Sequence, residues 1–235
     1  MRYEIELELK EKVLPLDYRR NFISLFKNVI ENYNKELKDA LYTKSEPKNF
    51  TFSLFLPIEK IEKEKIFLKS HTIKLFLSIE EIMLSLHFLN AFLDSKSKKI
   101  FLNPENSVEI MNIKKLQEKE IKENYKVFKT LSPIVVREHT REKDIFHLLD
   151  EKGIQILKNN IIFNLKDRFP MKFLQEIEII PMETKKTVVL YYDTKIQVTL
   201  GTIGIKADKE ILTHFYKCGI GSKRSAGFSM LDLIN

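Results

Sequence analysis

The chain of 235 residues contains a single cysteine, Cys218. One thiol excludes a disulfide framework and a cysteine-rich zinc site. No run of 18 apolar residues is present, so the sequence predicts no transmembrane helix. The opening MRYEIELELK alternates charge and apolarity and lacks the apolar core of a signal peptide. These features predict a soluble, cytoplasmic protein. There is no short-period repeat and no low-complexity segment. No HxxxH, paired cysteines or acidic cluster suggests a metal, and no cofactor is expected. Glycine is rare at six residues, and arginine is scarce beside lysine.

Hydrophobic residues make up 43% and charged residues 31%, a globular composition. The length suits one large domain or two of about 110 residues. Lys plus Arg number 40 against 33 Asp plus Glu, a net charge of +7. Such an excess favours a polyanionic partner, nucleic acid or an anionic membrane surface. A lysine-rich composition with solvated faces would give the same number.

Residues 3–9 alternate strictly and predict a half-buried strand. Pro15 and Asp17 open a helix with Phe22, Leu25, Phe26, Val29 and Ile30 at helical spacing. A short helix follows over 34–42, and Ser45, Glu46 and Pro47 break the pattern. FTFSLFL, residues 50–56, reads as a strand. Strands fit 64–69 and 72–78. A helix fits 79–93 with Ile82, Met83, Leu86, Leu89 and Phe92 on one face, then strands near 98–102 and 106–116. A second round gives a strand over 126–136 with Pro133 at an edge or bulge, a helix over 151–168 and strands over 173–181, 186–192 and 194–204. A helix over 207–217 and a strand over 228–234 complete it. Each round reads β-α-β-β-α-β, the order of the ferredoxin-like unit. The expected fold is α+β, two tandem ferredoxin-like (RRM-like) domains, 1–122 and 123–235, divided near the charged stretch 114–125.

The sharpest local feature is GIGSKRSAGFSM, residues 219–230. It holds Gly219, Gly221 and Gly227, half the glycines of the chain. Ser222, Lys223, Arg224 and Ser225 add hydroxyls and two cations. Such a turn suits a phosphate backbone; an ordinary turn with a glycine helix cap needs only one glycine. The order of Gly, Lys and Ser and the helix-to-strand context differ from a Walker A loop and a dinucleotide fingerprint.

The loop GIGSKRSAGFSML resembles the C-terminal signature of the CRISPR-associated repeat-processing endoribonucleases, the crRNA maturation enzymes of the RAMP superfamily. LYTKSEPKNFTFSLF (41–55), TLSPIVVR (130–137) and YKCGIGSK (216–223) agree with that family in order and spacing. The resemblance implies a double ferredoxin-like fold and metal-independent cutting of precursor CRISPR transcripts within each repeat. In that chemistry the 2′-hydroxyl attacks the adjacent phosphate, leaving a 2′,3′-cyclic phosphate and a 5′-hydroxyl. The implied partner is repeat RNA. Residence in a CRISPR effector complex, and monomer against homodimer, stay open.

In many members a His follows the second helix of the first domain, with a Lys a few residues on and a Tyr in the first helix. Here these positions read Tyr42, Lys48 and Lys27, so the Lys is kept and the other two differ. Tyr42 would orient or donate, and would act as a base only if Lys27 or Lys48 depressed its pKa. Arg19 and Arg20 on the first helix, and Arg137 and Arg141 beside the second-domain strand, are further RNA-binding candidates, the alternative being surface ion pairs. His71, His87 and His147 read as structural or exposed. His214 could approach RNA, and His139 is the best candidate for a displaced catalytic His. Two rival readings are a relative that binds repeat RNA without cutting, and a generic RRM-like binder. The RRM strand signature is absent.

Overall fold

The structure, a computed structural model, describes residues 1–43 and 47–234. The break expected at Ser45 and Glu46 lies outside the described residues. The first half runs β1 (Arg2–Leu9), β2 (Val13–Pro15), α1 (Tyr18–Tyr33), α2 (Lys35–Tyr42), β3 (Phe50–Phe55), β4 (Ile58–Glu62), β5 (Lys65–Leu68), β6 (Thr72–Ile79), α3 (Ile82–Asp94), β7 (Ile100–Phe101) and β8 (Ser107–Leu116). The main sheet has the order β3-β6-β1-β8-β7. Placing β1 between β6 and β8 is the ferredoxin-like arrangement. The two-residue period of β1 buries Tyr3, Ile5, Leu7 and Leu9 and turns Glu8 to solvent.

The apolar stripe of α1 is buried as its spacing predicts. At its centre Phe26 meets Phe50, Phe52, Phe88 and Phe92, with ring centroids 4.8–6.1 Å apart. The expected face of α3 is partly corrected. The helix begins after β6 has absorbed Ile79, and packing on α1 turns Leu84, Phe88, Ala91 and Phe92 inward. Ile82, Met83 and Leu86 are exposed. The strand expected at 64–69 exists but joins a separate sheet of order β2-β5-β4.

The second half runs β9 (Tyr125–Thr130), β10 (Val136–His139), β11 (Asp144–His147), α4 (Glu151–Leu165), α5 (Met171–Gln175), β12 (Glu178–Tyr191), β13 (Thr194–Lys206), α6 (Lys209–Cys218), a 3-10 turn (Arg224–Ala226) and β14 (Leu231–Leu233). The sheet order β12-β13-β9-β14 repeats the first-half arrangement. The chain is therefore two ferredoxin-like folds in tandem. Three readings are corrected. The strand expected over 126–136 stops at Thr130, because the chain turns at Pro133, and Val136 begins a hairpin with β11. The strands expected at 173–181 and 186–192 are one, β12, with an irregularity between Pro181 and Glu183. An edge strand tolerates the proline's missing N–H. Residues Met171–Gln175 are helical, started by Pro170.

The halves share a core: Val135, Ile196, Val198, Ala226 and Phe228 join the first-half cluster. Polar bonds cross the same seam. Buried Arg2 donates to the Leu231 carbonyl at 2.9 Å, and Thr51 Oγ1 donates to the Phe228 carbonyl at 2.9 Å. This seam fixes the C-terminal turn against β3.

Candidate functional site

From Gly219 to Met230 the chain folds back on itself between the two halves. The Ser222 N–H donates to the Val135 carbonyl and the Ser229 N–H to the Pro133 carbonyl, both at 2.8 Å. Gly221 has φ +91°, and a Cβ there would lie 2.6 Å from the Val135 oxygen. Gly227 has φ +82°, and its Cβ would lie 2.8 Å from the Phe52 ring. These glycines therefore serve close packing and left-handed backbone. Gly219 ends α6. Glycine content, expected to mark an anion site, has a packing reason here.

Residues 222–225 line an open cavity of about 410 Å³. Arg137 and His139 of β10 and Asn160, Phe163 and Asn164 of α4 line it too, with Pro47 and Lys48 from the first half. Lys48, Arg137, Lys223 and Arg224 bring four cations to it, and among the described residues no carboxylate belongs to its lining. A cavity of about 540 Å³ elsewhere is lined by Glu11, Glu64 and Glu105, the wrong charge for a polyanion. Lys223 is held over the Tyr191 ring at 4.7 Å. Burial, then the neighbouring Arg137, pulls its amine below the usual lysine value. Burial also lowers Arg224, which stays cationic like any arginine.

Lys27 of α1, Tyr42 at the end of α2 and Lys48, just before β3, come together. The amines of Lys27 and Lys48 lie 5.2 and 5.4 Å from the centre of the Tyr42 ring, within cation–π range. The half-buried ring packs against the first-half core. Burial raises the Tyr42 phenol far above its ordinary value. The condition for Tyr42 to act as a base, a phenol depressed by Lys27 or Lys48, is not met, because burial raises it. Tyr42 thus presents its ring to both amines.

His139, in the same cavity lining as Lys48, is 80% exposed at its side chain. Its Nδ1 lies 2.8 Å from Asp144 Oδ1, and Arg137 Nη1 lies 3.2 Å from Asp144 Oδ2. The hydrogen bond from His139, then Arg137, holds the Asp144 carboxyl below the usual carboxylate range against slight burial.

Residues 116–233 match the family described as CRISPR associated protein Cas6, C-terminal, half of the chain. The chain belongs to the Cas6 family. It is 25% identical to the CRISPR-associated endoribonuclease Cas6 1 of Methanocaldococcus jannaschii over 245 residues, 98% of this chain and 92% of that one. A solved structure of a Cas6-related gene product from Pyrococcus furiosus superposes with TM-score 0.83 at 26% identity, covering 100% and 98% of the two chains. A RAMP protein described as binding different RNA substrates gives TM-score 0.82 at 24% identity over 100% of both, a likeness of fold.

The remaining candidates of this Cas6 chain separate by burial. Arg19 faces inward: its Nε donates to the Gly227 carbonyl at 3.1 Å and its guanidinium stacks on Phe228 at 4.4 Å. The expected phosphate role is corrected to one of fastening the C-terminal turn to α1. Arg20 is exposed beside Asp193 at 3.8 Å and over Tyr192. Arg141 is exposed and outside the cavity lining. His214 is buried at 1% exposure, so direct RNA contact is corrected for it as well.

His214 belongs instead to a cluster no sequence spacing announced. Its Nδ1 lies 2.9 Å from Glu80 Oε2, and Cys218 Sγ lies 3.4 Å from the same oxygen. Donor atoms of these three residues lie within 4.8 Å of one another. Arg168 grips both oxygens of Glu80, Arg224 Nη1 lies 3.4 Å from His214 Nε2, and burial pushes the Cys218 thiol up to about 12. Two guanidinium groups and a protonated thiol make this an ion-paired seam and a poor cation ligand set. Sequence reading also missed Phe163, 71% exposed at the cavity. Its signal was available: it falls off the buried stripe Leu157, Ile161, Leu165 of α4.

Proposed function

We propose that this chain is a metal-independent endoribonuclease that binds CRISPR repeat RNA and cuts precursor CRISPR transcripts within each repeat. The observation that carries this reading is the meeting of Lys48 from one half with Arg137, Lys223 and Arg224 from the other around one cavity, with no carboxylate among its described lining residues. Membership of the Cas6 family supports it. A phosphodiester entering the cavity meets cations from two sides, which holds it and offsets the charge of the phosphorane. The nucleophile is the RNA's own 2′-hydroxyl, so the products are a 2′,3′-cyclic phosphate and a 5′-hydroxyl. Ser222 and Ser225 supply hydroxyl donors, and exposed Phe163 supplies a stacking face for an unpaired base. Lys48 neutralises the reacting phosphate, and Lys27 and Tyr42 hold it in place. Arg20 and Arg141, outside the cavity lining, act on RNA beyond it.

The test is end-labelled repeat RNA incubated with protein in EDTA. One cut per repeat with a cyclic phosphate is expected, and a 2′-deoxy substitution at the scissile nucleotide abolishes it. A Mg²⁺-dependent cut leaving a 3′-hydroxyl overturns the mechanism. Tight binding without any cut favours a binding-only role.

A further inference from the structure

We infer that His139, oriented by Asp144, is the base that takes the 2′-hydroxyl proton; the inference rests on the endoribonuclease reading above. The step needs a proton acceptor in the cavity, and the described residues narrow the choice. Tyr42, at the position where relatives carry a His, is not among the lining residues and packs against the core. Lys48, Arg137, Lys223 and Arg224 are cations, and Ser222 and Ser225 are neutral hydroxyls. Among the described residues, His139 is the one imidazole in the lining.

Its geometry suits the task. Asp144 is ionised between His139 and Arg137, so it only accepts hydrogen bonds. The His139 Nδ1, 2.8 Å away, therefore donates to it, which leaves Nε2 as the ring atom that can accept a proton. That is the same division of labour by which a carboxylate fixes the tautomer of a catalytic histidine. The hairpin register sets the pair, since His139 and Asp144 face each other across β10 and β11. A hairpin-closing pair has no need of a cavity; here the histidine of the pair lines the cavity that Lys48 lines from the other half.

The step balances. Nε2 accepts the 2′-hydroxyl proton, the 2′-oxygen bonds to phosphorus, and the bond from phosphorus to the 5′-oxygen breaks. The leaving oxygen takes a proton from the Lys48 ammonium. Solvent then carries the imidazolium proton back to that amine, restoring both groups. Asp144 is a positioning residue.

Single-turnover cleavage of repeat RNA by the full chain tests this. His139→Ala is expected to slow cleavage about 10²–10⁴-fold with RNA affinity little changed, and added imidazole is expected to restore part of the rate. Asp144→Asn slows the wild-type enzyme but adds nothing in the His139→Ala background. With a 5′-bridging sulfur at the scissile bond, which needs no acid, the His139→Ala defect remains while the Lys48→Ala defect shrinks. Wild-type rate in His139→Ala, or a defect that the sulfur substrate relieves, overturns the assignment and leaves the endoribonuclease reading standing. A wild-type protein that binds repeat RNA and never cuts it overturns both.

Discussion

Arg168 holds Glu80 through both terminal nitrogens, at 2.5 and 2.6 Å from the two carboxylate oxygens. Glu80 follows β6 of the first half, and Arg168 follows α4 of the second. The pair therefore ties the halves beside the turn that carries Lys223 and Arg224, and His214 links them: its Nδ1 reaches Glu80, and Arg224 approaches its Nε2. Cation placement in the cavity thus depends on a carboxylate more than 100 residues away in sequence.

This seam makes stability fall on acidification. Burial alone would raise the Glu80 carboxyl, but hydrogen bonds from His214 and Arg168 hold it well below the usual range. Burial lowers His214, against the pull of Glu80. The unfolded chain therefore binds protons first at both groups. The His214 contribution is lost as pH falls from about 6.5, and the Glu80 contribution below about 4.3. Glu80→Ala is expected to cost about 1–3 kcal/mol at neutral pH by stranding buried donors and to flatten the acid limb. Thermal melts across pH check both; an unchanged acid limb would assign the acid sensitivity elsewhere.

Lys223→Ala should weaken repeat RNA binding across sequences and reduce the slope of log K against log salt by about 0.7, the loss of one phosphate contact on a single strand. The ammonium already sits over Tyr191, so little ordering accompanies binding. Filter binding over a salt series measures it, and an unchanged slope would show that Lys223 only braces the turn.

Tyr42→Phe should leave the cleavage rate almost unaltered, because the buried phenol neither accepts nor supplies a proton near neutrality. Lys48→Ala should slow it by about 10²-fold with little change in affinity. Single-turnover rates with excess enzyme separate chemistry from release. A large loss in Tyr42→Phe would return the phenol to the reacting centre.

Gly227→Ala should destabilise the chain by about 1–3 kcal/mol, since φ is +82° and the new methyl meets the Phe52 ring at 2.8 Å. Phe52 is fully buried and has no room to withdraw. Denaturant unfolding gives the value; a wild-type midpoint would mean that the turn relaxes.

Much of this was legible in the chain itself. The alternation of Tyr3 to Leu9, the helical stripe of Phe22 to Ile30 and the two β-α-β-β-α-β rounds determined the fold, because backbone periodicity is a local property. The loop at 219–230 and its flanking sequences determined the family resemblance. Only the tertiary structure decided which side of each polar residue meets solvent. Arg19 and Arg137 look alike in sequence, yet one is stacked on Phe228 inside the seam and the other lines the cavity. Three glycines looked like phosphate ligands, while the approach of Val135 and Phe52 accounts for Gly221 and Gly227. The pairing of His139 with Asp144 needed a hairpin that Pro133 and an apolar run concealed, and the Glu80 seam joins residues from both halves. Burial and ion pairing depend on which surfaces meet, and contacts between residues far apart in the chain leave no spacing to read.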